Sequence, residues 1–193
     1  MKEKNRFLAL LLAMVMALGL MIPAAAAENP APAEDNSGKI VILHTNDVHC
    51  GIDQTTKDDA ITGIGYAGVA AYKAEMEAAY GASSVTLVDA GDAIQGGPIG
   101  TLTKGSAIVE IMNKVGYDLA IPGNHEFDYG MDNFLSLATE KAEYSYICSN
   151  FTDLDGKAVF EPYKMLTYGD VKVAYVGIDT PETFVKSTPT YFQ

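Results

Sequence analysis

Short apolar runs alternate with amphipathic stretches along most of this chain. Residues 40–44 are a continuous run of mainly β-branched and aliphatic side chains, which predicts a strand buried on both faces. Similar runs predict further strands at residues 84–88, 117–121 and 144–149. Apolar side chains at helical spacing predict helices at residues 66–80, 106–115 and 131–142. Strands that alternate with helices in this way indicate an α/β layered domain.

The last part of the chain has a different pattern. Residues 159–166 and 171–178 are two β-rich runs that flank Tyr168-Gly-Asp170, a sequence typical of a hairpin turn. A hairpin brings antiparallel strands into the domain. The sheet is therefore expected to be mixed rather than purely parallel.

Two stretches have no apolar period and are predicted to be loops. They are residues 51–65 and the glycine-rich residues 91–104. The second stretch contains glycines and a lysine, as a phosphate-binding P-loop does, but the P-loop motif requires Ser or Thr after its lysine. Lys104 is followed by Gly105, so a P-loop is excluded.

The first 27 residues have the features of a secretory signal peptide. Basic residues precede an uncharged run from Phe7 to Ile22, and small residues at 23–27 provide a cleavage site. The same segment is long enough to span a bilayer of about 30 Å, so an uncleaved anchor is the alternative. Residues 28–38 are a polar linker, and residues 39–193 are expected to form the N-terminal part of one domain. The expected location is secreted, extracellular or in the cell envelope.

The net charge of the chain limits the kinds of molecule that it can bind. The chain has 193 residues and a net charge of −12, so its surface should repel a nucleic-acid polymer. Acidity also keeps a secreted protein soluble. On such an acidic surface, a phosphorylated small substrate would need bound metal ions for local positive charge.

The two cysteines leave two alternatives open. Cys50 and Cys148 are compatible either with one disulfide or with two buried free thiols.

Polar motifs follow three of the predicted strands. Asp47 and His49 follow the first, Asp92 follows the second, and Asn124-His125 follows the third. Ligands of α/β sheets lie beyond the carboxyl ends of the strands, which favours one shared site. Each motif also has an ordinary structural interpretation: Gly91-Asp92 could form a turn, and His125 could cap a helix.

Asp47 and His49 could together provide the first two ligands of a divalent-metal site, although a lone Asp-x-His motif is a weak signal. In extended backbone, residues two apart project to the same side, which would place a carboxylate beside an imidazole. This pair suits zinc, manganese or iron better than calcium. His44 lies inside the apolar run and is expected to be a core histidine bonded to backbone.

The motifs resemble a known family. Residues 43–49, 89–97 and 123–130 are similar to the secreted 5′-nucleotidase and 2′,3′-cyclic-nucleotide phosphodiesterase family of the calcineurin-like metallophosphoesterase superfamily. Cys148-Ser-Asn150-Phe151 also matches a segment common there. The resemblance implies an α/β, layered metallophosphoesterase-type mixed β-sheet sandwich, incomplete in this chain.

The resemblance also implies a role for each site residue. Asp47 and His49 would hold a first metal, Asp92 would bridge two metals, and Asn124 would hold the second. The cofactors would be two divalent ions, zinc, manganese or similar, about 3.5–4 Å apart. His125 would face the phosphate and stabilise its charge or protonate the leaving oxygen. Asp128 would orient that imidazole.

The implied function is metal-dependent hydrolysis of nucleotides of the 5′-nucleotidase type. Alternatives are a 2′,3′-cyclic-nucleotide phosphodiesterase with 3′-nucleotidase activity, and an inactive secreted binding domain. The expected partner is a small nucleotide, with no nucleic-acid polymer and no stable membrane partner beyond the secretion machinery. Family members supply further ligands from later histidine-containing segments. This chain alone is therefore expected to carry about half of a metal site and to be inactive.

Overall fold

The computed structural model describes residues 36–187. The expected signal peptide and most of the expected linker lie outside the described residues. The strands are β1 Val41–Thr45, β2 Thr55–Lys57, β3 Ala60–Gly63, β4 Val85–Asp89, β5 Leu119–Ala120, β6 Ser145–Tyr146, β7 Tyr163–Tyr168 and β8 Val171–Val176. The helices are α1 Gly65–Tyr80, α2 Gly97–Thr103, α3 Ser106–Val115, α4 Met131–Ser136 and α5 Thr183–Lys186. A π-helical turn, Leu137–Lys141, continues α4.

The main sheet has four parallel strands in the order β1-β4-β5-β6. β1 pairs with β4 in register from Val41 opposite Val85 to Thr45 opposite Asp89. The predicted strands at 84–88, 117–121 and 144–149 are confirmed, although β5 and β6 are shorter than predicted. Because the strands are parallel, the segments after β1, β4 and β5 all leave the same edge of the sheet.

The predicted hairpin near the end of the chain is confirmed. β7 and β8 pair antiparallel from Tyr163 opposite Val176 to Tyr168 opposite Val171. Gly169 in the turn has a φ of 58°, a conformation that glycine adopts without strain. The antiparallel strands form a two-stranded sheet of their own, and the four-stranded sheet is parallel throughout.

Both stretches predicted to be loops contain regular structure, so these predictions were wrong in part. Residues 51–65 include the antiparallel hairpin β2–β3. Its turn residues Asp58 and Asp59 both have positive φ, as a two-residue hairpin turn requires. Residues 91–104 include α2, which begins at a Gly-Pro pair and is followed by Lys104 in the left-handed conformation. The β2–β3 strands are almost fully exposed, so no apolar alternation marked them.

The predicted helices at 66–80 and 106–115 are confirmed as α1 and α3. Each ends at a glycine with positive φ, Gly81 and Gly116. α1 packs on β4 and α3. An aromatic cluster forms the next part of the core, where the ring of Phe134 lies edge-on to Phe127 at 5.1 Å and to Tyr146 at 5.2 Å.

β1 differs from its prediction. It lies at an edge of the four-stranded sheet, and its residues alternate between half-buried and exposed. Leu43 packs against the core, whereas Ile42 and His44 are exposed on the other face. The predictions of a strand buried on both faces and of a core histidine at His44 were therefore wrong for the part of the chain that the structure describes.

The cysteines are free thiols. Cys50 and Cys148 are both buried, so the disulfide alternative is excluded and the free-thiol alternative is confirmed. Cys50 Sγ lies 3.2 Å from the carbonyl oxygen of Ile94, and Cys148 Sγ lies 3.3 Å from Oδ1 of Asn150. Burial raises the pKa of both thiols, which disfavours the reactive thiolate. None of the helices within residues 36–187 is both long enough and apolar enough to cross a membrane.

Candidate metal centre

Three of the predicted ligands meet at the edge of the sheet. Asp47, His49 and Asp92 each offer a ligand atom, and these atoms all lie within 4.8 Å of one another. The loops that carry them run side by side, since Asp47 N–H donates to the Gly91 carbonyl at 3.0 Å and His49 N–H donates to the Asp92 carbonyl at 2.9 Å. The ladder between β1 and β4 is thus extended past the ends of both strands.

The backbone that brings these ligands together is not extended. Asp47 has a φ of 51°, His49 of 46° and Asp92 of 60°, all in the left-handed region. The argument from side-chain alternation was therefore wrong, although the two side chains do meet. Non-glycine residues in this region cost roughly 1–3 kcal/mol each and cluster at functional sites.

His49 is oriented by a contact of its ring nitrogen Nδ1. Nδ1 lies 3.1 Å from the backbone carbonyl oxygen of Gln95 and 3.2 Å from that residue's side-chain oxygen. Because a carbonyl only accepts, Nδ1 is the donor in this contact, and in the neutral imidazole Nε2 is then the atom that carries the lone pair. A hydrogen bond on the distal nitrogen is the usual way in which a protein fixes a metal-binding imidazole.

The third motif lies against Asp92. Asn124–Phe127 form a 3₁₀ turn that begins with Asn124, which is half-buried. The backbone N–H of His125 donates to Asp92 Oδ1 at 2.8 Å. The rings of His49 and His125 lie edge to face with centroids 5.2 Å apart. The structure therefore brings the Asp-x-His, Gly-Asp and Asn-His motifs to one place.

Asp128 contacts His125 as the resemblance implies. Asp128 Oδ2 lies 2.7 Å from His125 Nδ1, and the two side chains are 21% and 30% exposed. The carboxylate accepts a hydrogen bond from the Nδ1–H group, so Nε2 is the ring nitrogen of His125 that can act on another group. The roles of His125 and Asp128 remain predictions.

Glu126 is one of the site residues that sequence reasoning missed. It is fully buried, and its carboxylate accepts four backbone N–H groups. These are Asp92 at 2.8 Å, Ala93 at 2.8 Å, Ile94 at 3.3 Å and Gly123 at 2.6 Å. Burial raises the pKa of Glu126, while the N–H donors act in the opposite direction. The side chain clamps the Asp92 loop to the Asn124-His125 loop.

Two glycines allow these loops to approach. A Cβ on Gly123 would lie 2.4 Å from Asp92 Oδ1, and a Cβ on Gly91 would lie 2.6 Å from the Gly123 nitrogen. Gly91 also has a φ of 95°, which other residues rarely adopt. A side chain at either position would push the ligand loop away from the histidine loop.

A second buried carboxyl group lies behind the ligands. Asp89 is 3% exposed, and it accepts hydrogen bonds from Thr45 Oγ1 at 2.7 Å and from Gly91 N–H at 3.1 Å. The Thr45 hydroxyl also contacts the Tyr117 hydroxyl at 2.9 Å. Burial raises the pKa of Asp89 to about 7 and that of Tyr117 to about 12. Sequence reasoning gave Asp89 no role.

Asp89→Asn should become more stable relative to the natural protein as the pH rises. The unfolded chain releases the Asp89 proton at the ordinary carboxyl pKa, whereas the folded chain retains it up to about pH 7. Between these values the folded state binds more protons, so its free energy of unfolding falls with rising pH. The difference should reach at most about 4 kcal/mol above pH 7. Denaturant unfolding of both proteins in EDTA from pH 4 to 8 measures it. A constant difference across this range would show that Asp89 is ionised throughout.

The donor set fits a divalent metal. Two carboxylates and one imidazole, with ligand atoms within 4.8 Å of one another, match the oxygen and nitrogen ligands of zinc, manganese and iron. The close approach of the two carboxylates would be repulsive without a cation, and the strained backbone holds them there. The same residues fit less well with calcium, which prefers oxygen ligands alone.

Comparison with known proteins gives the class. The family model of calcineurin-like phosphoesterases matches residues 40–189, so the chain belongs to that family. The chain is 37% identical over 163 residues to the snake venom 5′-nucleotidase of Gloydius brevicauda, covering 79% of this chain and 27% of that protein. The parallel sheet and helices are confirmed as the fold of this family.

Solved structures show the same likeness. The NAD nucleotidase of Haemophilus influenzae aligns with a TM-score of 0.66 and 29% identity, covering 77% of this chain and 28% of that one. The 5′-nucleotidase precursor of Thermus thermophilus aligns with a TM-score of 0.65 and 26% identity, covering 78% and 31%. The chain thus spans less than a third of the length of these relatives.

Proposed function

We propose that the protein containing this chain is a metal-dependent phosphohydrolase that removes phosphate from nucleotides, as a 5′-nucleotidase does. The observation that carries the proposal is the arrangement around Asp92. Its carboxylate lies with Asp47 and His49 in one ligand cluster and also accepts the backbone N–H of His125. Potential metal ligands and a potential proton donor are thus adjacent. The nucleotidase relatives support a nucleotide as the substrate.

The proposed metal ligands are Asp47, His49, Asp92 and Asn124, which would together hold two divalent ions, with Asp92 as the shared ligand. When bound, these ions supply positive charge against phosphoryl oxygens and acidify water. Asp47 and Asp92 supply negative charge that retains the cations. The Gln95 contact keeps His49 Nε2 directed to its ligand position.

His125 is proposed as the residue that acts on the phosphoryl group. With Nδ1 bonded to Asp128, His125 can hold a proton on Nε2 and give it to the ester oxygen that leaves. The negative charge of Asp128 stabilises the imidazolium before this transfer. The positive ring can also stabilise charge on the phosphoryl oxygens.

The location and the extent of the domain are proposals of the same kind. The pattern of residues 1–27 supports export, and the similarity to a venom protein agrees with it. The domain part is proposed to begin at residue 39.

Metal analysis of the full-length product of this gene tests the metal proposal. After dialysis against metal-free buffer, we expect two divalent ions per chain, because four ligand side chains are available for a bridged pair. Treatment with a chelator should abolish release of phosphate from AMP, and manganese or zinc should restore it. Less than one ion per chain would contradict the proposed ligand roles.

The same preparation tests the substrate. Release of inorganic phosphate should be measured with AMP, with 2′,3′-cyclic AMP and with 3′-AMP. Preference for AMP supports the proposal, whereas preference for the cyclic or 3′ substrate would favour the phosphodiesterase alternative. A metal-loaded protein that hydrolyses none of them would favour the binding domain.

A further inference from the structure

Asp128 has a second hydrogen-bond partner besides His125. Ser187 Oγ donates to Asp128 Oδ1 at 3.1 Å, while Oδ2 faces His125 Nδ1 at 2.7 Å. The two oxygens of one carboxylate are therefore held by two different side chains. Asp128 is 21% exposed, so water competes only in part for these contacts.

Ser187 is held in place by the helix before it. The backbone N–H of Ser187 donates to the carbonyl of Thr183 at 3.2 Å, at the end of α5. Thr183 Oγ1 in turn lies 3.1 and 3.0 Å from the two carboxylate oxygens of the buried Asp179. α5 also packs against the 3₁₀ turn that contains His125.

A second network ties this segment to the loop after β6. Asn150 Nδ2 donates to the Asp179 carbonyl at 2.8 Å, and the Asp179 N–H donates back to Asn150 Oδ1 at 2.8 Å. This reciprocal pair fixes the backbone at Asp179, four residues before Thr183. The Ser187 hydroxyl therefore approaches Asp128 from a segment that has an anchor of its own outside the metal-binding loops.

We propose that Ser187 is a positioning residue that holds the Asp128 carboxylate in the plane that suits His125. This inference rests on the proposed function of His125. A carboxylate held at one oxygen can rotate about its Cβ–Cγ bond, and the His125 ring then loses its fixed direction. A hydroxyl on the second oxygen prevents that rotation. Productive orientation of the imidazole follows from the two contacts together.

Ser187 could instead serve only to attach α5 to the domain. That role predicts a loss of stability on substitution and no specific loss in turnover. The positioning role predicts a lower kcat with KM and metal content preserved, because substrate and metal contacts are not altered.

Kinetics of variants of the full-length protein separate the two roles. Ser187→Ala should lower kcat for AMP roughly 10-fold, as removal of a partner behind a site residue typically does. Ser187→Thr keeps the hydroxyl and should recover most of the rate. Ser149→Ala is the matched control, because the Ser149 hydroxyl braces the same segment through the Gly177 carbonyl at 2.7 Å without contacting Asp128. A loss of kcat as large in Ser149→Ala as in Ser187→Ala would overturn the proposal.

A double-mutant cycle tests whether Ser187 acts through Asp128. In an Asp128→Ala background, Ser187→Ala should change kcat by less than about twofold, since the group that it positions is gone. The same roughly 10-fold loss in both backgrounds would show that Ser187 acts elsewhere and would overturn the proposal.

A spectroscopic measurement keeps this inference separate from the proposed function. If the natural protein hydrolyses no phosphate ester, the proposed function fails, and the Ser187 contact is judged by NMR. The Nδ1 proton of His125, identified by its loss in His125→Asn, should exchange with water faster in Ser187→Ala than in Ser149→Ala. Equal exchange rates would show that Ser187 does not hold the Asp128–His125 pair.

Discussion

His125→Asn should lower kcat for AMP by roughly 10²–10⁴-fold, the usual effect of losing a catalytic acid or base, while metal content stays the same. The side chain contacts Asp128 through Nδ1, and its backbone N–H donates to Asp92 Oδ1. The backbone contact survives substitution, so the ligand loop should keep its position. Asparagine cannot take up and release a proton near neutral pH. Steady-state kinetics and metal analysis of the same full-length preparation measure both quantities.

His49→Asn is the matched control, since it replaces a neighbouring histidine by the same residue. The rings of the two histidines are 5.2 Å apart, yet only His49 lies in the ligand cluster with Asp47 and Asp92. We expect this variant to lose metal and activity together. Equal loss of metal in both variants would make His125 a ligand and contradict its role as an acid.

The positions of the site loops could be predicted because they follow directly from parallel strands. The apolar runs that form β1 and β4 are clear in the sequence, and the carboxyl ends of parallel strands share an edge. Asp47 and Asp92 follow these strands closely, so their proximity needs no knowledge of the intervening helices. The helices α1 and α3 could also be predicted, because their apolar spacing and terminal glycines are local signals in the sequence.

The geometry within the loops could not be predicted in this way. The left-handed backbone at Asp47, His49 and Asp92 leaves no signal in the pattern of apolar residues. It accompanies hydrogen bonds between neighbouring loops, which depend on the folded structure and not on the local sequence. The β2–β3 hairpin has exposed strands, so burial left no alternation to read. The exposure of His44 depends on which elements cover β1, and the local sequence does not contain that information.

Glu126 was missed for a related reason. Acidic residues are almost never fully buried unless they are paired, so an acid between a histidine and a phenylalanine suggests a solvent-facing position. The sequence does offer two signals: the apolar neighbour Phe127 and the density of polar residues from 124 to 128. The structure shows that Phe127 is fully buried, as Glu126 is. A carboxylate in such a turn can serve the backbone of a nearby loop.

Glu126→Gln should lower the free energy of unfolding by roughly 2–4 kcal/mol, the range for disrupting a buried charged hydrogen-bond group. The amide has the same shape, but its NH₂ group would face two of the four N–H donors that the carboxylate now accepts. The loss should appear in denaturant unfolding of the full-length protein in EDTA. Metal affinity should fall as well, because one of those donors is the backbone of Asp92.

Glu140→Gln provides the control for Glu126→Gln. Glu140 is exposed and accepts one hydrogen bond, from Ser136 Oγ at 2.8 Å, so its substitution should change stability by less than about 0.5 kcal/mol. Glu126→Gln with natural stability and natural metal affinity would mean that the Glu126 carboxyl is protonated in the folded state, since an amide then replaces it at little cost. In that case the two loops would be joined by neutral hydrogen bonds. The electrostatic repulsion among the acids Asp47, Asp92 and Glu126 would then be smaller. Bound cations would accordingly have less negative charge to neutralise at the site.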